Sequence, residues 1–277
     1  MDKRLIMGAS IAAAGWAGYV GLRRWWNTWG VEPDEASKRL PGDAIVPDGE
    51  TLLTRGITIH TPPDAVWPWL VQMGYGRGGW YSYDQLDMKG RSAEGIRPEF
   101  QSLAVGDMVP THPDGGFEVK LVEPGRALVV YLDGALAERQ AKAQAGSISM
   151  TETPGLAASG RFLRTASPPD FAVSWAFVLE PVGSDQTRLI ERVRGRFGPA
   201  TIGSRTMLPL MGFGVFVMTR KQMLGIRNRA ERIGRLEPPV RPAVPVDPSP
   251  KRSENGTAQH RQNGSPKPGM TRQEVPV

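Results

Sequence analysis

The 277-residue chain contains no cysteine. That excludes a disulfide framework, a thiolate metal site, an iron–sulfur cluster and a cysteine nucleophile, while leaving the compartment open. Imidazoles are scarce as well: His60, His112 and His260 are the full set. No pair of histidines or carboxylates has ligand spacing on one element, so neither a metal nor a cofactor is expected. The body carries no net positive charge. The formal net charge is +6, yet residues 31–204 carry 17 basic and 22 acidic residues, and the excess lies at the two ends. A nucleic-acid binder would put its cations on the folded domain among aromatics, so no nucleic-acid partner is expected. Basic ends on an acidic body suit an anionic membrane surface, or are simply solvated.

One uncharged run stands out. Leu5 to Leu22 (LIMGASIAAAGWAGYVGL) is preceded by Lys3 and Arg4 and followed by Arg23, Arg24, Trp25, Trp26 and Trp29. Eighteen residues at helical rise span about 27 Å, which reaches across a thin hydrocarbon core. Flanking cations and tryptophans suit its two interfaces. Residues 1–30 therefore read as a single-pass anchor in the cell membrane, contacting it through residues 5–22, with the body on the cytoplasmic side. A cleaved signal, with Ala12 to Ala14 as its small-residue site, and a peripheral amphipathic helix are the alternatives.

Residues 31–50, with three prolines and two glycines, read as a linker or irregular lead-in. The run Thr51 to His60 is rich in β-branched residues and ends at Pro62-Pro63, which marks a strand followed by a helix with proline in its first turn. Gly74, Gly76, Gly78 and Gly79 match G-x-G-x-x-G as letters. The element before them has the helical spacing of Val66, Trp67, Leu70 and Met73, and no long helix follows, so a connector between two short helices is the better reading. Further strands are expected at 107–112, 117–123, 126–133, 171–180 and 187–196, joined by short turns and therefore antiparallel. In the clearest of them Phe171, Val173, Trp175, Phe177 and Leu179 share one face. Phe216, Thr219, Met223, Ile226, Ala230 and Ile233 then recur at helical steps, giving a long amphipathic helix with a basic outer side. Residues 235–277, with nine prolines, read as a disordered tail.

The order of elements describes an α+β domain over 51–234, a curved sheet gripping the long helix, with a long insert at 134–170. Between sheet and helix such an arrangement encloses space for an apolar ligand. The segments ITIHTPPDAVWPWLVQMGYGRGGWYSYD, RPEFQSLAVGDMVP and FAVSWAFVLEP resemble the START-related superfamily of polyketide cyclases, ligand-binding allergens and lipid carriers (SRPBCC). The resemblance implies a helix-grip fold and a hydrophobic small-molecule or lipid partner. It implies no catalytic group, because members of this fold use unrelated residues.

Residues expected to touch a ligand are Trp67, Tyr81, Tyr83, Asp84, His112, Trp175, Phe177, Phe216 and Met223. Tyr81, Tyr83 and Asp84 would cap one end of the cavity and fix a polar group, or else pack and cap a helix. His112 could serve as acid or base, or be structural. Trp175, Phe177, Phe216 and Met223 would line the cavity or fill the core. No residue is assigned a catalytic role. A cyclase or dehydratase on the same fold, and an envelope scaffold filled by its own side chains, are the competing functions.

Overall fold

The computed structural model describes residues 3–87, 90–113, 115–145, 170–198 and 202–236. The expected tail beyond 236 and most of the insert, 146–169, lie outside them. Helix α1 (Lys3–Asn27) leads through an irregular segment into β1 (Glu50–Ile59), α2 (Pro63–Val71) and the one-turn α3 (Asp84–Asp87). Strands β2 (Met108–His112), β3 (Gly115–Glu123) and β4 (Ala127–Asp133) follow, then α4 (Gly134–Ala145), which is the Ala-rich start of the insert. Strands β5 (Phe171–Val182) and β6 (Gln186–Phe197) precede the long α5 (Ile202–Leu236).

All six strands form one antiparallel sheet in the order β1-β6-β5-β4-β3-β2. Strands β2 through β6 are neighbours in chain order, with α4 and the insert between β4 and β5, and β1 forms the far edge beside β6. The fold is therefore α+β, a curved antiparallel sheet with a helix at the carboxyl end, as the turn spacing implied. Register shifts in β1, β2 and β3 bend the edges.

Strand alternation sorts the side chains into two layers. On the inner face Ile57, Leu128, Phe177 and Leu189 join Trp69 and Leu70 of α2 and Met223 and Ile226 of α5 in one buried cluster. On the outer face Val129, Ala176, Val178 and Ile190 are covered by Leu40 and Ile45 from the irregular segment 31–50. Residues 31–49 contain no helix or strand, and yet they form a packed strap. Four outward-pointing arginines of β6 hold that side of the sheet. Arg188 grips Glu35 with bonds of 2.6 and 2.7 Å, and Arg192 reaches the carbonyls of Glu35, Ala36 and Lys38. Arg194 donates to the Val46, Pro47 and Gly49 carbonyls, and Arg196 pairs with Asp170.

The glycine cluster makes a tight loop, with Gly74 and Gly79 exchanging backbone hydrogen bonds of 3.2 and 3.1 Å. Gly74, Gly76 and Gly79 have φ of 124°, 70° and 89°, which other residues resist. Only the four-residue α3 follows. The loop instead delivers Trp80 and Tyr81 to the interior, Tyr81 itself at φ 58°.

Gly225 of α5 lies against that loop. An added Cβ would strike the Tyr81 carbonyl oxygen and stand 2.9 Å from the Tyr81 Cβ. In an open helix Gly→Ala gains about 1 kcal/mol. Here Gly225→Ala is expected to lower stability by about 2 kcal/mol through overpacking, measured by urea unfolding.

Among the described residues no helix is long and apolar enough to cross a membrane. The side chains at 3–6, 8–9 and 11–12 of α1 fall outside that description.

Candidate functional site

Position parity places two charged residues on the apolar side of the sheet. Leu53, Arg55, Ile57 and Ile59 alternate inward along β1, as do Leu189, Glu191 and Val193 along β6, and the register sets Arg55 directly opposite Glu191. Both side chains are completely buried, with Arg55 Nη1 3.7 Å from Glu191 Oε2. That distance is an ion pair without a hydrogen bond.

Other elements supply partial satisfaction. Arg55 Nε donates to the Trp26 carbonyl at 2.9 Å, and Nη1 donates to Thr219 Oγ1 on α5. Trp175 on β5 donates from Nε1 to Glu191 Oε1 at 2.9 Å. The Phe216 ring lies 5.2 Å from the Arg55 guanidinium carbon. Arg55 Nη2 and Glu191 Oε2 are left buried without any hydrogen-bond partner. Orphaned polar atoms of this kind are costly and uncommon. Burial dominates both ionisations: it pushes the Glu191 carboxyl up despite Arg55 and Trp175, and it pulls the Arg55 guanidinium down despite Glu191. An arginine keeps its proton regardless, so Glu191 is the member able to titrate.

Aromatic rings surround the pair. Trp80 stacks on Trp175 at 5.6 Å and 6°, Phe117 meets Trp175 edge-on at 5.7 Å, and Phe177 is 4.9 Å away. The arrangement is an unmet donor and an unmet acceptor within an apolar, aromatic interior. It can complete the hydrogen bonds of a group that offers both, such as a hydroxyl, carboxylic acid or amide.

Of the residues expected to contact a ligand, Trp175 and Phe177 lie beside Glu191, and Phe216 lies over Arg55. Met223 is buried on α5, and Trp67 on α2 is partly buried against the same cluster. Tyr81 is buried, and its hydroxyl donates to the Trp69 carbonyl and accepts from Gln72. Burial raises its phenol well above the ordinary range. Asp84 accepts from Ser92 Oγ at 2.6 Å, the same oxygen that receives the Tyr81 amide. Tyr83 is exposed under Lys221, 5.6 Å from its ring centre. His112 is half-buried at the end of β2, paired with Gly115. Arg55 and Glu191 are not among the residues the sequence points to, and Thr219 enters there only as part of the helix seam, although the inward parity of two charges on two apolar strand faces is visible in the sequence. Among the described residues no group of three acidic or histidine side chains could hold a metal ion.

No family model matches the chain, and no curated protein matches it significantly. Among solved structures it is similar to protein MLL2253 from Mesorhizobium loti, at 15% identity over 65% of this chain and 97% of that one. The TM-score is 0.31, too low to bear on fold or function.

Proposed function

We propose that the chain is a membrane-tethered binding or carrier protein for a lipid or other hydrophobic small molecule. The fold would be the START-like helix grip, with the ligand held between sheet and α5, the anchor in residues 5–22 and the body on the cytoplasmic side. The observation that carries this reading is the buried Arg55–Glu191 pair, with one guanidinium nitrogen and one carboxylate oxygen unpartnered inside an aromatic interior. An amphiphile's polar end would satisfy both atoms while its apolar part is buried at about 25 cal/mol per Å². A second reading, a cyclase or dehydratase, is favoured by one fact. Glu191 is a buried carboxyl whose proton affinity is raised, which is what a general acid needs.

The test is native mass spectrometry of the full chain extracted in detergent, followed by solvent extraction of what it carries. One amphiphilic molecule per chain is expected, and it should be absent from the paired variant Arg55→Met with Glu191→Leu. Finding no bound molecule, and no uptake of fluorescent fatty acid, would leave the scaffold reading in its place. Chemical change of the bound molecule on incubation would favour the enzyme.

A further inference from the structure

Large apolar side chains of α1 point into solvent, Trp16 by 69% and Trp25 by 54%, and α5 adds Phe213 at 47% and Val215 at 42%. The two helices are joined by their rings. Trp26 is 5.5 Å from Phe213, Trp25 is 5.4 Å from Phe216, and the Arg220 guanidinium lies 5.0 Å from the Trp29 ring. Trp29, in the turn just after α1, also lies 6.3 Å from Phe216, so the end of α1 and the turn after it rest on the stretch of α5 from Phe213 to Arg220. On each helix an exposed apolar stretch is followed by cations: Leu22 gives way to Arg23 and Arg24, and Val215 gives way to Arg220 and Lys221, all four exposed.

We propose that the amino-terminal half of α5 enters an anionic lipid bilayer beside α1. The foot of the protein is then two helices, with Arg23, Arg24, Arg220 and Lys221 at headgroup level. This rests on the tether reading and adds to it a second inserted element and a lipid charge. Contiguous exposed apolar surface on two adjacent helices needs a cover, and cations bounding it on the body side match an anionic headgroup layer. A second copy of the chain fits less well, because a two-fold interface there would crowd the same four cations together. Insertion along α5 would also seat Trp29, Phe216 and the end of the Arg55 site against the bilayer, where a lipid could pass without crossing water.

The cysteine-free chain makes the test direct. Full-length Val215→Cys, labelled with an environment-sensitive fluorophore, is mixed with vesicles of phosphatidylcholine containing or lacking phosphatidylglycerol, some carrying nitroxide-labelled acyl chains. A blue shift and nitroxide quenching are expected on the anionic vesicles, and no change is expected for a label at Lys142→Cys on the exposed side of α4. Replacing Arg220 and Lys221 by glutamine should weaken the vesicle response about fivefold per charge and remove most of its dependence on phosphatidylglycerol. Circular dichroism confirms that each variant is folded. A label at Trp16→Cys that is quenched while the one at 215 is not would overturn the proposal and leave the α1 tether standing. Quenching at neither position would remove both. A 215 label that becomes buried with rising protein concentration and no vesicles would assign the surface to a second copy, which also overturns it. None of these readouts depends on whether a ligand occupies the interior.

Discussion

Arg55→Ala is expected to lower the free energy of unfolding by about 3–5 kcal/mol at neutral pH. The guanidinium has three listeners in the interior: the Trp26 carbonyl, the Thr219 hydroxyl and the Glu191 carboxylate. Removing it strands a carbonyl and leaves a fully buried carboxylate facing only the Trp175 indole. The deficit should depend on pH in a definite direction. Burial already raises the Glu191 carboxyl above its ordinary value of 4.5 in the folded protein. The contribution of such a group to stability is complete below the unfolded value and is lost as pH rises through the folded one. Without Arg55 the folded value rises further, so the difference between variant and wild type should be smallest below about pH 4.5 and grow toward neutrality. Urea unfolding at pH 4 and pH 7.5 measures it. The paired change Arg55→Met with Glu191→Leu should recover most of the loss, since apolar replacements of a buried ion pair are often neutral or stabilising. A stable double variant that no longer retains a bound amphiphile would separate the two roles of the site. Equal deficits at both pH values would mean that Glu191 carries no charge in the folded wild type.

The sheet was legible because its strands are bounded by Pro/Gly turns and because Trp175, Phe177 and Leu179 alternate cleanly with smaller residues. Alternation also fixed which side of β5 is inner. The long helix was legible from Phe216 to Ile233 by its steps of three and four, and its start at Ile202 was not, because glycine and proline interrupt the pattern upstream. What could not be read is what depends on register. Arg55 and Glu191 are 136 positions apart, and the parity that turns each inward says nothing of its partner. Only the pairing of β1 with β6 brings them face to face. The aromatic group around Trp175 has the same character: Trp80 arrives on a glycine-rich loop whose path is set by positive φ angles, not by periodicity. Residues 31–50 carry no periodic signal at all. Their order comes from carbonyls and carboxylates meeting arginines about 150 positions later.

That dependence makes Arg192 the other position of large effect. Its side chain is nearly inaccessible and serves the Thr54 hydroxyl, the Asp43 carboxylate and the carbonyls of Glu35, Ala36 and Lys38. The planar five-donor fork is what allows one residue to gather so many acceptors from a segment without regular structure. Arg192→Ala should therefore cost about 3 kcal/mol and loosen the strap as a unit, because Asp43 and three carbonyls lose this donor together. Arg192→Lys should restore less than half, since a single ammonium cannot reach three directions. Trypsin provides the local readout. Lys38 and Arg39 lie on the strap, and cleavage there, followed by mass spectrometry of the fragments, should accelerate strongly in Arg192→Ala while cleavage at the exposed Lys142 is unchanged. Acid should weaken the neighbouring latch in the opposite sense to the Arg55 site. Burial alone would raise the Glu35 carboxyl, but the Arg188 guanidinium and the Glu32 amide outweigh it and hold the carboxyl below 4.5. Its contribution is present above the unfolded value and fades as pH falls through the folded one. The strap is thus expected to tighten as the solution passes from acid to neutral, while the Arg55–Glu191 interior becomes more costly to keep closed. If Arg192→Ala leaves both stability and cleavage at Lys38 unaltered, the strap is held by the apolar contacts of Leu40 and Ile45 instead, and the arginine row serves some other end.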